Sequence, residues 1–235
     1  FCPASTSPGK TAQIEMYGAR LVLVPGSRED TSRAVLAGAE KHYYASHSWN
    51  PFFFHGTKTW AYEVWEQLGW QAPDTVILPA GNGTLLLGAY IGFKELLAAS
   101  ETHQMPKIVA VQSENSAPLA KAFLENLDYV PAIDKKDTLA EGIAIAEPVR
   151  GMQIVQAVRQ TGGDFMTVSD AEVETSLIDL GRQGAYIEPT SAASTAAATR
   201  YLVNKPESEL AVTVFTGHGL KSTEKMLKIL EHQRR

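Results

Sequence analysis

An α/β fold with a mainly parallel sheet and flanking helices is predicted by three features of this 235-residue sequence. Short apolar runs without alternation recur at 21–24, 76–78, 108–111, 165–168 and 211–215, as strands covered on both faces require. Stretches with helical periodicity separate them, and crossovers of that length join parallel neighbours. Two of the runs lead into glycine turns, Gly81-Asn82-Gly83-Thr84 and Thr216-Gly217-His218-Gly219.

Phe1-Cys2-Pro3 reads as a strand end leading into a helix cap, so the chain reads as entered in mid-fold, with a segment expected before Phe1. Ser7 is the candidate N-cap with Pro8 at the first helical position. Ala12, Ile14 and Tyr17 continue that helix, and Gly18 stops it. Residues 21–24 form a strand closed by Pro25-Gly26, and 30–44 an amphipathic helix. Residues 45–59 break the pattern. Phe52, Phe53 and Phe54 beside Asn50-Pro51 make a poor exposed loop and are expected to line a cavity or a domain junction. Trp60, Ala61, Val64, Trp65 and Leu68 then share a helical face, which Gly69 ends.

After the strand at 108–111, residues 112–139 read as a helix and a surface loop. Residues 141–145 turn into an extended piece, 150–160 are helical, and 165–168 a strand. Ser169 and Glu172 form a capping box for the helix carrying Val173, Leu177 and Leu180. Residues 186–191 are a strand end or turn that opens an alanine-rich helix. Residues 211–215 are the last buried strand, and the final helix ends in Arg234-Arg235.

The middle of the chain carries the chemistry. Val76, Ile77 and Leu78 form a strand, Pro79 ends it, and 81–84 is a turn that only small residues can make. Residues 85–97 are apolar almost all round, as in a helix packed deep against a sheet. Gly88 and Gly92 would let that helix approach its neighbour closely. Strand, glycine turn and buried helix together offer free N–H groups and a positive helix end to an anion. The pattern therefore suits a phosphate-bearing small molecule, with a plain βα connection as the alternative. Leu86 stands where a dinucleotide fingerprint needs glycine or alanine, and no G-x-x-x-x-G-K-[ST] occurs.

Composition narrows the classes further. Hydrophobic residues at 44% and charged ones at 20% describe an ordinary globular protein. A net charge of −5 argues against nucleic acid or an anionic membrane as partner. Cys2, the single cysteine, excludes a disulfide framework and fits a reducing, cytoplasmic setting. No apolar run reaches the roughly 20 residues of a membrane span. His42, His47 and His55 lack ligand spacing, so no metal is expected. His218 could polarise a bound ring or simply bond the backbone of its own turn. No G-x-S-x-G elbow is present.

Several segments in order, FCPASTSPGKTAQIEMYGARLVLVPG, NPFFFHGTKTWAYEVWEQL, ILPAGNGTLLLGAYIGFKEL, AEGIAIAEP, YIEPTSAAS and VFTGHGLK, resemble the fold type II enzymes that use pyridoxal 5′-phosphate (PLP). The likeness is greatest to threonine synthase and its relatives, through NP…G-x-KT-x-A-x-E and the terminal TGHGLK. It implies a tryptophan synthase β-like architecture truncated at the N-terminus, with 1–46 the remnant of a small mobile domain and 47–235 the large PLP-phosphate domain.

The resemblance also implies roles. Gly81, Asn82, Gly83 and Thr84 would hold the cofactor phosphate, and Thr216 would meet the pyridine nitrogen. A neutral hydroxyl there stabilises a less acidic ring than a carboxylate would. Glu188 would lie near the cofactor or serve as an ordinary capping carboxylate. Ser48 and Asn50 would contact an amino-acid substrate. The family's Schiff-base lysine belongs upstream of the segment matching Phe1. None of the twelve lysines sits in its motif, Lys58, Lys94 and Lys221 reading as solvated or capping groups. This chain alone is therefore expected to be inactive.

Threonine synthases usually carry an arginine soon after Asn-Pro, whereas Phe52 to Phe54 follow here, and an apolar ring cannot stand in for a guanidinium opposite a dianion. A PLP lyase of threonine synthase type, taking O-phosphohomoserine to threonine and phosphate, is the leading expectation, as a homodimer. A threonine/serine dehydratase or diamino-acid ammonia-lyase is the alternative. A non-catalytic module binding a phosphorylated metabolite is the alternative of another class.

Overall fold

The computed structural model describes residues 1–6 and 8–233, with only the backbone of Arg28 and Glu29. The expected Ser7 cap and the Arg234-Arg235 end of the last helix lie outside the described residues. The chain forms two compact units, Phe1–Asn50 and Pro51–Arg235.

In the first unit, β1 (Cys2–Pro3) pairs in parallel with β2 (Leu23–Val24) across the crossover helix α1 (Pro8–Met16). Only two residues of the expected strand at 21–24 join the ladder. Helix α2 spans Arg28–Gly38 rather than 30–44. Its start is set by Ser27, whose hydroxyl accepts the Asp30 N–H at 3.1 Å while the Asp30 carboxylate accepts the Ser27 N–H at 2.7 Å. A Cβ on Gly38 would touch the Phe1 ring at 3.5 Å, so the end of α2 lies close to the start of β1.

The second unit begins with α3 (Phe53–Thr57) and α4 (Thr59–Gln67), then β3 (Thr75–Pro79), α5 (Thr84–Ala98), β4 (Lys107–Ser113) and α6 (Pro118–Leu124). It continues with α7 (Gly151–Gln160), β5 (Asp164–Val168), α8 (Asp170–Arg182), α9 (Pro189–Leu202), β6 (Ala211–Thr213) and α10 (Thr223–Gln233). The four strands form one parallel sheet in the order β5-β4-β3-β6. Of the three phenylalanines, Phe54 enters the core, while Phe52 and Phe53 stay exposed. Residues 141–145 are not extended but hold a 3₁₀ turn at Glu141–Ile143. Strand β6 pairs only at 211–213, so 214–215 already lead towards the second bend.

Side-chain parity explains why the strand sequences show no alternation. Val76, Leu78, Ile108 and Ala110 point into a core shared with α5, α6 and α7. Ile77, Val109 and Val111 point the other way, into a core shared with α8, α9 and α10. Both faces are covered, so every position is apolar. Helix α9 reaches the sheet closely because Ala192, Ala193, Ser194 and Ala197 are small and buried.

The expected capping box of α8 is present. The Ser169 hydroxyl accepts the Glu172 N–H, and Glu172 accepts the Ser169 N–H at 2.7 Å. Partial burial alone would raise the Glu172 carboxyl, but bonds from the Ser169 N–H and hydroxyl, with Arg200 beside it, outweigh that and hold it below its ordinary range. A depressed carboxyl stabilises the fold above the unfolded value of about 4.3, and that contribution is lost as pH falls through the folded one. Ser169→Ala should therefore cost about 1 kcal/mol at neutral pH. Urea midpoints at neutral and acid pH should show the loss shrinking as Glu172 protonates.

Candidate active site

The two glycine bends follow neighbouring strands at the same end of the sheet. Thr75, Val76 and Ile77 of β3 pair with Ala211, Val212 and Thr213 of β6, so both chains leave the ladder at their carboxyl ends side by side. In open parallel sheets that end is where crevices form.

The first bend is held from below. Ala80 N–H donates to Val111 O at 2.8 Å, and Ala80 O accepts from the Gln112 amide at 3.0 Å. Gln112 is fully buried, and its Oε1 accepts the N–H groups of Leu119 and Ala120, both at 3.0 Å. One side chain thus ties the last residue before the bend to the start of α6. Gly83 adopts φ +71 and is the N-cap of α5. Leu87 N–H bonds back to Gly83 O at 2.8 Å, so the N–H groups of Thr84, Leu85 and Leu86 precede the first intrahelical bond. Thr57 of α3 fixes this first turn by donating its hydroxyl to Thr84 O at 2.9 Å. The Asn82 Oδ1 is buried without a hydrogen-bond partner.

The second bend carries a short polar chain. Thr216 Oγ1 donates to Glu188 Oε1 at 2.7 Å and lies 3.0 Å from Ser191 Oγ, which in turn accepts the Thr216 N–H at 2.8 Å. Glu188 occupies the N-cap of α9, yet its side chain makes no capping bond and turns to Thr216 instead. Lys221 Nζ stands 3.7 Å from the other Glu188 oxygen. A Cβ on Gly217 would lie 2.6 Å from the Glu188 carboxylate, so glycine is required there. His218 accepts the Leu220 N–H on Nδ1 at 3.2 Å and packs edge-on against Tyr186, the turn-bonded arrangement.

A strap at 138–143 connects the two bends. A Cβ on Gly81 would meet Gly142 O at 3.0 Å, and one on Gly142 would meet Thr190 Oγ1 at 2.4 Å. Thr190 sits between Glu188 and Ser191, so backbone contact runs without a break from one bend to the other. Four expected residues (Gly81, Asn82, Gly83, Thr84) thus share the first bend, and Thr216 and Glu188 share the second. Ser48 and Asn50 belong to the first unit, where Ser48 is buried and Asn50 donates to the Tyr43 hydroxyl at 3.0 Å. Lys58 is not simply solvated. It donates to both Glu95 oxygens at 2.9 and 2.7 Å, which raises the ammonium and, with the Tyr62 hydroxyl, holds the Glu95 carboxyl down.

Sequence reasoning gave no role to Ser191, Gln112 or the strap. Ser191 could have been suspected from its place beside Glu188, but nothing local marks Gln112, whose partners are long-range. The donor set suits a phosphorylated heterocycle. Asn82, whose amide oxygen and nitrogen are interchangeable in assignment, and the first N–H groups of α5 face an anion. The Thr216 hydroxyl and Glu188 offer a polar anchor at the other end.

Comparison with known proteins fits this geometry. The model of the family described as "Pyridoxal-phosphate dependent enzyme" matches residues 1–217. The threonine synthase of Methanocaldococcus jannaschii is 34% identical over 227 residues, covering 95% of this chain and 56% of that protein. That of Methanosarcina acetivorans is 34% identical over 229 residues, with the same coverage of 95% and 56%. The chain therefore spans about half the length of these curated relatives. Among solved structures, the processed form of threonine deaminase isoform 2 from Solanum lycopersicum has a TM-score of 0.79 at 22% identity, covering 97% of this chain and 64% of that one. A fungal L-serine ammonia-lyase from Rhizomucor miehei has a TM-score of 0.75 at 18% identity, covering 96% and 72%. These two share the fold.

Proposed function

This chain belongs to the pyridoxal-phosphate dependent enzymes, and from that premise we propose that its two bends hold PLP for a lyase that acts on an amino acid by elimination or replacement, in the manner of threonine synthase. The observation that carries this reading is the placement of both bends at the carboxyl ends of adjacent strands, bridged by the strap and by 188–191. The fold is that of fold type II PLP enzymes.

Gly81, Asn82, Gly83 and Thr84 bind the phosphate, with the α5 N-terminus supplying its positive end. Thr216 and Glu188 take the ring-nitrogen end. PLP supplies an electron sink for charge developing at the substrate's α-carbon. A carboxylate stands one hydrogen bond behind Thr216, so the hydroxyl proton is held towards Glu188 and the Ser191 hydroxyl can fill the remaining side. Ser48 and Asn50 orient the substrate. Residues 1–46 belong to the smaller domain and 47–235 to the larger, and the enzyme works as a cytoplasmic homodimer. Among the described residues no helix is long and apolar enough to cross a membrane.

A dehydratase or ammonia-lyase reading is favoured by one specific observation, Phe52, Phe53 and Phe54 directly after Asn50-Pro51. Product analysis separates the two. The full-length protein loaded with PLP should acquire a visible absorbance band and release phosphate with threonine from O-phosphohomoserine. Ammonia and a 2-oxo acid from serine or threonine, without phosphate release, would transfer the assignment to the second reading. A protein that stays colourless after dialysis would sink both.

A further inference from the structure

We propose that Lys225 is a positioning residue, a tethered cation whose ammonium fixes the strap at 138–143 and with it the wall shared by the two bends. Lys225 lies on α10, outside both bends. Its Nζ donates to Leu139 O at 2.9 Å, to Thr138 O at 3.2 Å and to Glu141 Oε1 at 2.9 Å. An ammonium has three protons, and this environment accepts all three. Two main-chain carbonyls and one carboxylate around a compact positive charge are the surroundings a small monovalent cation would choose.

The opposite side of the strap is held by an anion. Asp170 Oδ1, at the first position of α8, accepts the Thr138 hydroxyl at 2.5 Å and the Leu139 N–H at 3.0 Å. Thr138 also accepts Ser113 Oγ at 2.9 Å and the Ala140 N–H at 3.2 Å. Asp170 thus binds the donors of the segment and Lys225 its acceptors. Beyond this clamp the chain turns, buries Ala140 and Ile143, and lays Gly142 against Gly81 and Thr190. Glu141 is 74% exposed in its side chain against 24% for Lys225, so the lysine is the seated partner and the carboxylate closes over it.

Removing the side chain beyond Cβ leaves an oxygen cluster with room for a small ammonium ion, and chemical rescue follows from that. In the full-length PLP-loaded enzyme, Lys225→Ala should speed hydrogen exchange at the amides of residues 139–144 by about tenfold to a hundredfold, the range expected for losing bonds to a charged donor. The cofactor dissociation constant should rise by about tenfold. Millimolar ammonium or methylammonium chloride should restore both, whereas tetramethylammonium chloride at equal ionic strength should not, since it has no N–H to donate. The wild type should be indifferent to all three salts.

Lys225→Met keeps the stem, removes the charge and occupies the space, so it should show the same losses without rescue. It also serves if the alanine variant fails to fold. Unchanged exchange in either variant, or equal responses to the three salts, overturns the proposal. Only the cofactor measurement rests on the PLP reading. A wild-type protein that binds no PLP, with strap exchange still following the ammonium salts, would remove that reading and leave the clamp standing.

Discussion

Gly83→Ala should empty the first bend of its anion and destabilise the fold by about 3 kcal/mol, the sum of two separate strains. Gly83 sits at φ +71, where an L side chain costs roughly 1–2 kcal/mol. A Cβ there would also fall 2.3 Å from Ile154 Cδ1 and 2.5 Å from Cγ1. Ile154 is fully buried on α7, so its side chain has nowhere to swing, and overpacking of this kind adds about 1–3 kcal/mol. Relief would come by displacing the bend, which is the phosphate cradle itself. Gly162→Ala is the matched control, since Gly162 has φ +60 with nothing within 4 Å of its added Cβ. Urea midpoints should separate the two variants by the packing contribution alone, and only the Gly83 variant should lose its cofactor on dialysis. Equal destabilisation of both would mean that α7 gives way freely.

Gly88→Ala should reduce stability by about 2 kcal/mol although alanine is the better helix former. Helix propensity favours the change by about 1 kcal/mol. Against it, the new Cβ would lie 2.3 Å from Thr57 Oγ1, 2.8 Å from Thr57 C and 2.9 Å from Lys58 N. Two of those three atoms are backbone, so α5 must move away from the corner between α3 and α4. Gly92, where a Cβ would meet Lys58 O at 2.6 Å, marks the same seam one turn later. Displacing α5 breaks the Thr57 bond to Thr84 O and so disturbs the helix end that faces the anion. Denaturation of Gly88→Ala beside Thr57→Val would resolve the two contributions. A Gly88 variant more stable than wild type would show that the seam is not close-packed.

Much of this was legible locally. The path from β3 through the bend to α5 could be read because a doubly covered strand is uniformly apolar and a cradle that excludes Cβ atoms must be glycine. The α8 capping box was equally plain, being complete within four residues. Where expectation and structure part, a contact distant in sequence decides. Helix α2 stops at Gly38 rather than 44, although its start was signalled by Ser27 and Asp30. The 3₁₀ turn at Glu141–Ile143 was taken for an extended piece because its partners, Thr190 and Gly81, lie far away in the chain. Glu188 could be assigned either to a helix cap or to the site, and the short bond to Thr216 reveals its direction. No local pattern could have singled out Lys225 among twelve lysines.

The buried amide of Gln112 has a thermal consequence. By bonding Ala80 O on one side and the Leu119 and Ala120 N–H groups on the other, it makes the floor under the first bend part of the sheet and not a hinged flap. Warming should therefore not loosen that floor ahead of the body of the protein. Escape of a tightly held ligand and collapse of the central strands should coincide on a melting curve, as one cooperative event.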